Sequence, residues 1–367
     1  MASSMNIEST LEEGTTNQTK LSTSSHDDEP KKSINWPLLI LNLCFIVVGV
    51  MGAPLLSRLY YLHGGNRKWV STLTQSAGFP LILIPLIFFY FTKPHSADRQ
   101  YFFMEPKLFV LSAIFGVLIG FDNFLYTLGL SYLPVSTSSL LYATQLAFIA
   151  VFARIIVKQK FTPYSINSVV LMTLGSIILG LRANGDRPPG VSNKEYLVGF
   201  FLTVISAALI GFIFPCIELC YARARTLNYI VVLQFQLNVA LFASIFSLVG
   251  MAVNKDFQAI KREANEYGLG RHMYVVVLVC GAVAWQLAFI GGLGLIYCVG
   301  SLFNGILTSL LLPMTEVAAV IAYHEKFNGE KGMSLALCLW GFTSYFYGEY
   351  QNSRKVAKTT QVGSVGA

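Results

Sequence analysis

Runs of about twenty apolar residues, following one another along the chain from Trp36 onward, constrain this sequence more than any other feature. A helix rising 1.5 Å per residue crosses a hydrocarbon core about 30 Å thick in roughly twenty residues. Ten such runs can be placed, at 36–57, 69–92, 107–131, 135–158, 164–183, 195–221, 227–253, 272–297, 299–323 and 332–350. The links between them carry turn chemistry, as in Asn66–Arg67–Lys68 and Asn184–Gly185–Asp186. Two junctions, Leu133–Pro134 and Val299–Gly300, are tight enough to require antiparallel neighbours. Only 12% of the 367 residues are charged, about half the share of a soluble domain, whose surface must meet water. The expectation is an all-α polytopic membrane protein with ten transmembrane helices.

Several function classes are disfavoured. The net charge is +7, but the basic residues sit between the apolar runs and at the tails, so nucleic acid is a poor partner and the lipid bilayer a good one. Six cysteines all lie inside apolar runs without a C-x-x-C pair, which argues against a disulfide frame or a metal site. The five histidines fall in the tail, in links or at span ends, and neither H-E-x-x-H nor G-x-S-x-G occurs. A membrane enzyme would need such a reactive group with a partner. No cofactor is expected.

Residues 1–33 are rich in Ser, Thr and charge and are expected to be a disordered tail, with no signal-peptide pattern. Residues 351–367 form a polar C-terminal tail. An even number of spans puts both tails on one side. That side would hold 14 of the 26 Lys and Arg residues and the other side 12, so charge does not orient the protein.

The chain also repeats. Leu128–Gly129–Leu130–Ser131–Tyr132 recurs as Leu293–Gly294–Leu295–Ile296–Tyr297, an offset of 165, and Ser136 matches Ser301. At an offset of 166, Lys160–Phe161 matches Lys326–Phe327 and Gly175 matches Gly341. The halves are then 34–183 and 184–350. Five spans per half is an odd number, so the two halves lie in the membrane with opposite orientation. Such inverted repeats characterise secondary transporters that bind solute near the midplane between halves and work by alternating access.

Polar side chains inside spans cost free energy unless they face protein or a cavity, so they mark candidate sites. Asn42, Asn123, Tyr126, Tyr142, Gln145, Phe148, Trp285, Gln286, Phe289, Asn304 and Thr308 are candidate substrate-binding residues. Asp122 and Glu316 are candidate proton-coupling carboxyls, since no ATP-binding motif is present and uphill movement would need an ion gradient. Glu218, one turn from Arg223, is expected to form an interfacial pair. No Lys or Arg lies in the middle of a span, which disfavours a phosphate-bearing substrate. Asn and Gln can bond the edge of a heterocycle such as adenine, and aromatic rings can stack on its faces.

The motifs carry a resemblance. Trp36–Pro37, the stretch from Gly49 through Met51, Pro54 and Arg58 to Tyr61, Gly64–Gly65 and Arg67–Lys68–Trp69 are similar to the start of plant purine permeases. Gln75–Ser76–Ala77–Gly78–Phe79–Pro80, the stretch Gly120 to Tyr126, Tyr132 to Leu140, Gln145–Leu146–Ala147–Phe148 and Tyr323–His324–Glu325–Lys326–Phe327 continue it. The resemblance implies the drug/metabolite transporter fold with two inverted five-helix halves and both tails cytosolic. It implies proton-coupled uptake of purine bases such as adenine and of cytokinins such as trans-zeatin, often at the plasma membrane, by a monomer or weak dimer. The alternative is a carrier in the same superfamily for another neutral or cationic metabolite.

Overall fold

The computed structural model describes residues 35–92, 104–133, 138, 141–159, 161–181, 192–225, 227–323 and 329–365. The N-terminal tail 1–33 lies outside the described residues, as does the side chain of Glu316. Among the described residues every regular element is a helix. In chain order these are α1 (Trp36–Leu62), α2 (Lys68–Thr74), α3 (Pro80–Thr92), α4 (Pro106–Tyr132), α5 (Gln145–Ile156) and α6 (Pro163–Leu181). They continue with α7 (Asn193–Arg223), α8 (Tyr229–Val253), α9 (Asp256–Glu266), α10 (Arg271–Cys298), α11 (Ser301–Tyr323) and α12 (Gly329–Val365).

The helix starts are written locally. Asn35 caps α1, its side chain accepting from Leu38 N at 3.3 Å, with Pro37 in the first turn. Ser192 and Glu195 form a reciprocal capping box on α7, and Asn228 caps α8. At the tight α10–α11 junction Gly300 takes φ +122°, and the Glu218 carboxylate accepts from Ser301 N at 2.7 Å. Glu218 therefore caps α11 from α7 instead of pairing with Arg223.

Five helices (α1, α4, α7, α8 and α10) are long and apolar enough to cross a membrane by length and composition. Large apolar side chains such as Phe91, Ile155 and Trp340 expose 79%, 67% and 70% of their surface, an arrangement suited to lipid and costly in water. The apolar run 69–92 is interrupted: α2 ends at Thr74 and α3 begins at Pro80, with a turn at Gln75–Phe79 between them. The short charged helix α9 lies within what reads as a polar link. It buries Asp256 and Glu263, which lie seven residues apart on one face. Arg67 reaches Asp256 Oδ1 at 3.4 Å and Glu263 Oε2 at 3.5 Å, and the Tyr60 hydroxyl donates to Glu263. The α1–α2 turn is thus held to α9. At its other end, α12 runs on to Val365, past the end of the apolar pattern.

Helices meet where small residues let backbones approach. α1 packs on α10, α4 on α7 and α8, and α6 on α12. A Cβ added at Gly175 on α6 would lie 3.2 Å from the Ser334 carbonyl and 3.5 Å from Cys338 Sγ. One added at Gly341 on α12 would lie 3.1 Å from the Ser168 carbonyl and 2.8 Å from Met172 Cγ. Likewise Asn42 donates to Leu38 O (2.8 Å) beneath Gly294, and Thr203 donates to Gly199 O (2.9 Å) beneath Gly129. Ser244 Oγ donates to Ser76 Oγ at 3.1 Å where α8 meets the interrupted segment.

Candidate functional site

A cavity lies among α1, α4, α5, α7, α10 and α11, with about 660 Å³ of empty space counted out to its open side.

Most of the polar lining comes from the first half of the chain, with Asn304 and Thr308 added from α11. α4 contributes Asp122, Asn123 and Tyr126, with Tyr126 one turn from the other two so that all three share a face. Gln145 enters from the start of α5, Tyr142 from three residues before it, and Gln75 from the turn between α2 and α3. Asp122 is buried; it accepts from Ser206 Oγ at 2.8 Å and bonds the Tyr142 hydroxyl. Among the described residues, Asn123 Nδ2 and Gln145 Nε2 have no hydrogen-bond partner, and neither does Asn304 Oδ1 on α11. Leaving such groups unbonded in a buried site costs free energy, so each is poised to bond a ligand or water.

The rest of the lining is apolar and aromatic. Trp285, Ala288, Phe289 and Gly292 lie at helical spacing along α10, joined by Ile210 and Phe214 of α7 and Ile46 and Val50 of α1. The Trp285 ring stands 6.5 Å from Tyr126, which lies 4.8 Å from Tyr142. Trp285 is oriented by its Nε1–H, which donates to Ser57 Oγ at 3.3 Å. Thr308 closes the lining beside Asn304. Among the described residues the lining contains no Lys or Arg, and Asp122 is its one carboxyl.

Of the candidate residues, Asn123, Tyr126, Tyr142, Gln145, Trp285, Phe289, Asn304, Thr308 and Asp122 therefore lie around one cavity. Three others do not. Asn42 is buried between α1 and α10, where its Oδ1 accepts from the Tyr229 hydroxyl at 3.1 Å. Phe148 packs against Gly211 of α7, and Gln286 turns toward Gly78. Glu316 falls outside the described side chains. Gln75 and Phe214 line the cavity without being among the candidates. A glutamine followed by Gly78 and Pro80 inside an apolar run was the available signal, since interrupted helices often carry transport sites.

Comparison with known proteins gives this geometry a context. A family model described as purine nucleobase transmembrane transport matches residues 37–355. Purine permease 3 of Arabidopsis thaliana is 48% identical over 329 residues, covering 88% of this chain and 94% of its own length. Purine permease 2 of the same plant is 42% identical over 345 residues, covering 89% and 96%. A solved crystal structure aligns with 86% of this chain and 99% of its own at a TM-score of 0.57 and 15% identity, a likeness of fold alone. The chain belongs to the purine permeases, a family of multi-pass membrane transporters and not of enzymes.

Proposed function

We propose that this protein carries an uncharged purine across the bilayer, gripped in the central cavity, by alternating access of two inverted five-helix halves. The observation that carries the reading is the cavity's division into an amide-bearing wall and an aromatic wall, with no cation to hold a phosphate. Amides bond the edge of a purine and aromatic rings stack on its faces, the latter contributing roughly 1–3 kcal/mol per base.

The helix contacts support the two-half plan. If the first half is α1, α2–α3, α4, α5 and α6, and the second α7, α8, α10, α11 and α12, exchanging the halves turns the α1–α10 contact into α7–α4. Both contacts occur. The Gly175 and Gly341 environments exchange in the same way: 341 − 175 = 166, 334 − 168 = 166 and 338 − 172 = 166. Asn42 and Thr203 hold matching places as well, each lying against a glycine of the repeated Leu-Gly-Leu stretch, Gly294 and Gly129 in turn. Reciprocal environments of this kind are what a two-fold relation between halves requires, and they supply the two-way pivot of alternating access.

Proton coupling is assigned to Asp122, a buried carboxyl whose bonds to Ser206 and Tyr142 tie it to the polar wall. Kinship with the purine permeases extends the substrate range to adenine and to cytokinins such as trans-zeatin, and favours uptake at the plasma membrane with both tails cytosolic. The test is competition against labelled adenine uptake by adenine, trans-zeatin, uracil and an amine, in cells that lack their own purine uptake. Inhibition by the two purines alone is expected; inhibition by the amine alone would replace the substrate class. Glycosylation at Asn17, in the sequon Asn17–Gln18–Thr19, would place the tails outside and overturn the orientation.

A further inference from the structure

We infer that Gln75 reads an N–H group on the substrate, and that Thr127 together with the Asn123 carbonyl fixes the direction in which it reads. The inference rests on the purine reading of the cavity and adds the residue that selects among purines.

Gln75 sits in the turn that interrupts the second apolar run, 4% exposed, and lines the cavity from the side of α4. A glutamine amide can face a ligand with either end, so on its own it accepts a donor or an acceptor equally well. Here the nitrogen end is taken. Gln75 Nε2 donates to Thr127 Oγ1 at 2.8 Å and lies 3.5 Å from the backbone oxygen of Asn123. The threonine hydroxyl could act as donor or acceptor, but a backbone carbonyl only accepts, so the pair together requires the nitrogen to face α4. Oε1 is left as the end available to the cavity. Thr127 is itself 1% exposed, so water does not compete freely for its hydroxyl.

The consequence is a polarity rule for the substrate. A purine with an amino substituent can donate to Oε1; one with an oxo group there would set two acceptor oxygens against each other. A buried acceptor left without a donor weakens binding by about 10–100-fold. A secondary amine still satisfies the rule because one N–H remains, whereas a tertiary amine does not. Asn123 and Gln145, with unpartnered amide nitrogens, then meet acceptor atoms elsewhere on the ring.

The experiment is inhibition of labelled adenine uptake by adenine, hypoxanthine, and the monomethylamino and dimethylamino purines, in the full-length protein and in Gln75→Met, Thr127→Val and Thr127→Ser. In the unaltered protein adenine should inhibit at concentrations about 10–100-fold below hypoxanthine. The monomethyl compound should outcompete the dimethyl one by a similar factor. Thr127→Val leaves only the 3.5 Å contact with the Asn123 carbonyl to hold the amide, so hypoxanthine should gain and the ratio should fall; Thr127→Ser should keep it. Gln75→Met should lose discrimination through weaker adenine inhibition, and it carries the test should Thr127→Val fail to reach the membrane. Adenine uptake without discrimination in the unaltered protein overturns this assignment while leaving purine transport standing. So does a Gln75→Met variant with the full ratio. Absence of any purine uptake overturns the transport reading, and this assignment with it.

Discussion

Gly49 offers the sharpest mechanical prediction. Its face of α1 lies against α10 so closely that an added Cβ would sit 2.2 Å from Ala288 N, 2.6 Å from Ala288 Cα and 2.7 Å from Ala284 O. These are backbone atoms, which cannot rotate aside as a side chain would. Restoring ordinary contact requires α1 and α10 to part by about 1 Å, in a tightly packed interior. Overpacking of this kind costs about 1–3 kcal/mol. Gly52, less than one turn further along the same helix, is the control, because its added Cβ would meet nothing nearer than Ala284 Cβ at 3.9 Å. Both substitutions gain similar helix propensity, so the difference isolates the contact. In detergent, Gly49→Ala should lower the heat-inactivation midpoint by a few degrees relative to Gly52→Ala. It should also raise the Km for uptake severalfold, because Ile46 and Val50 on α1 and Trp285 and Ala288 on α10 are cavity walls. Equal midpoints for the two variants would refute the reasoning.

The remaining predictions concern charge. Asp122→Asn should preserve saturable exchange of purine but abolish accumulation against a gradient, and with it the fall in uptake as external pH rises. Accumulation that stays intact and pH-dependent would exclude Asp122 from coupling and turn attention to Glu316. Arg67→Ala leaves the buried Asp256 and Glu263 without their cation. Removing one partner of a buried pair costs about 3–5 kcal/mol, but Arg67 is 41% exposed, so a loss of roughly 1–2 kcal/mol is expected after solvent screening. Heat inactivation reads it, and an unchanged midpoint would mean that the pair does not hold α9 in place.

The five long apolar helices among the described residues are legible because lipid imposes one rule, a run of about twenty apolar residues, and helices in this chain begin on caps such as Asn35 and Ser192. Departures come where that rule is silent. α9 carries charge over its eleven residues and is held by Arg67 and Tyr60, partners nearly two hundred positions away. The break at Gln75 hides inside a run that reads as one span, because Ser71, Thr72, Thr74, Gln75 and Ser76 carry no charge and Gly78 and Pro80 weaken a helix without adding any. Residue type marked the depth of the candidate site well, but only packing decides which face of a helix meets a cavity. Asn42 and Asn123 read alike in sequence; one lies under Gly294 between two helices, the other lines the cavity with its amide nitrogen unbonded. Gln286 lies beside Trp285, yet the turn of α10 sends it to Gly78 instead of to the cavity.

The most direct measurement is a cryo-electron microscopy map of the protein in lipid nanodiscs with saturating adenine. The account predicts flat density stacked near Trp285 and Phe289, with its polar edge toward Gln75, Asn123 and Gln145. Adenine density at another place, or side chains filling that space in the adenine-bound protein, would contradict it.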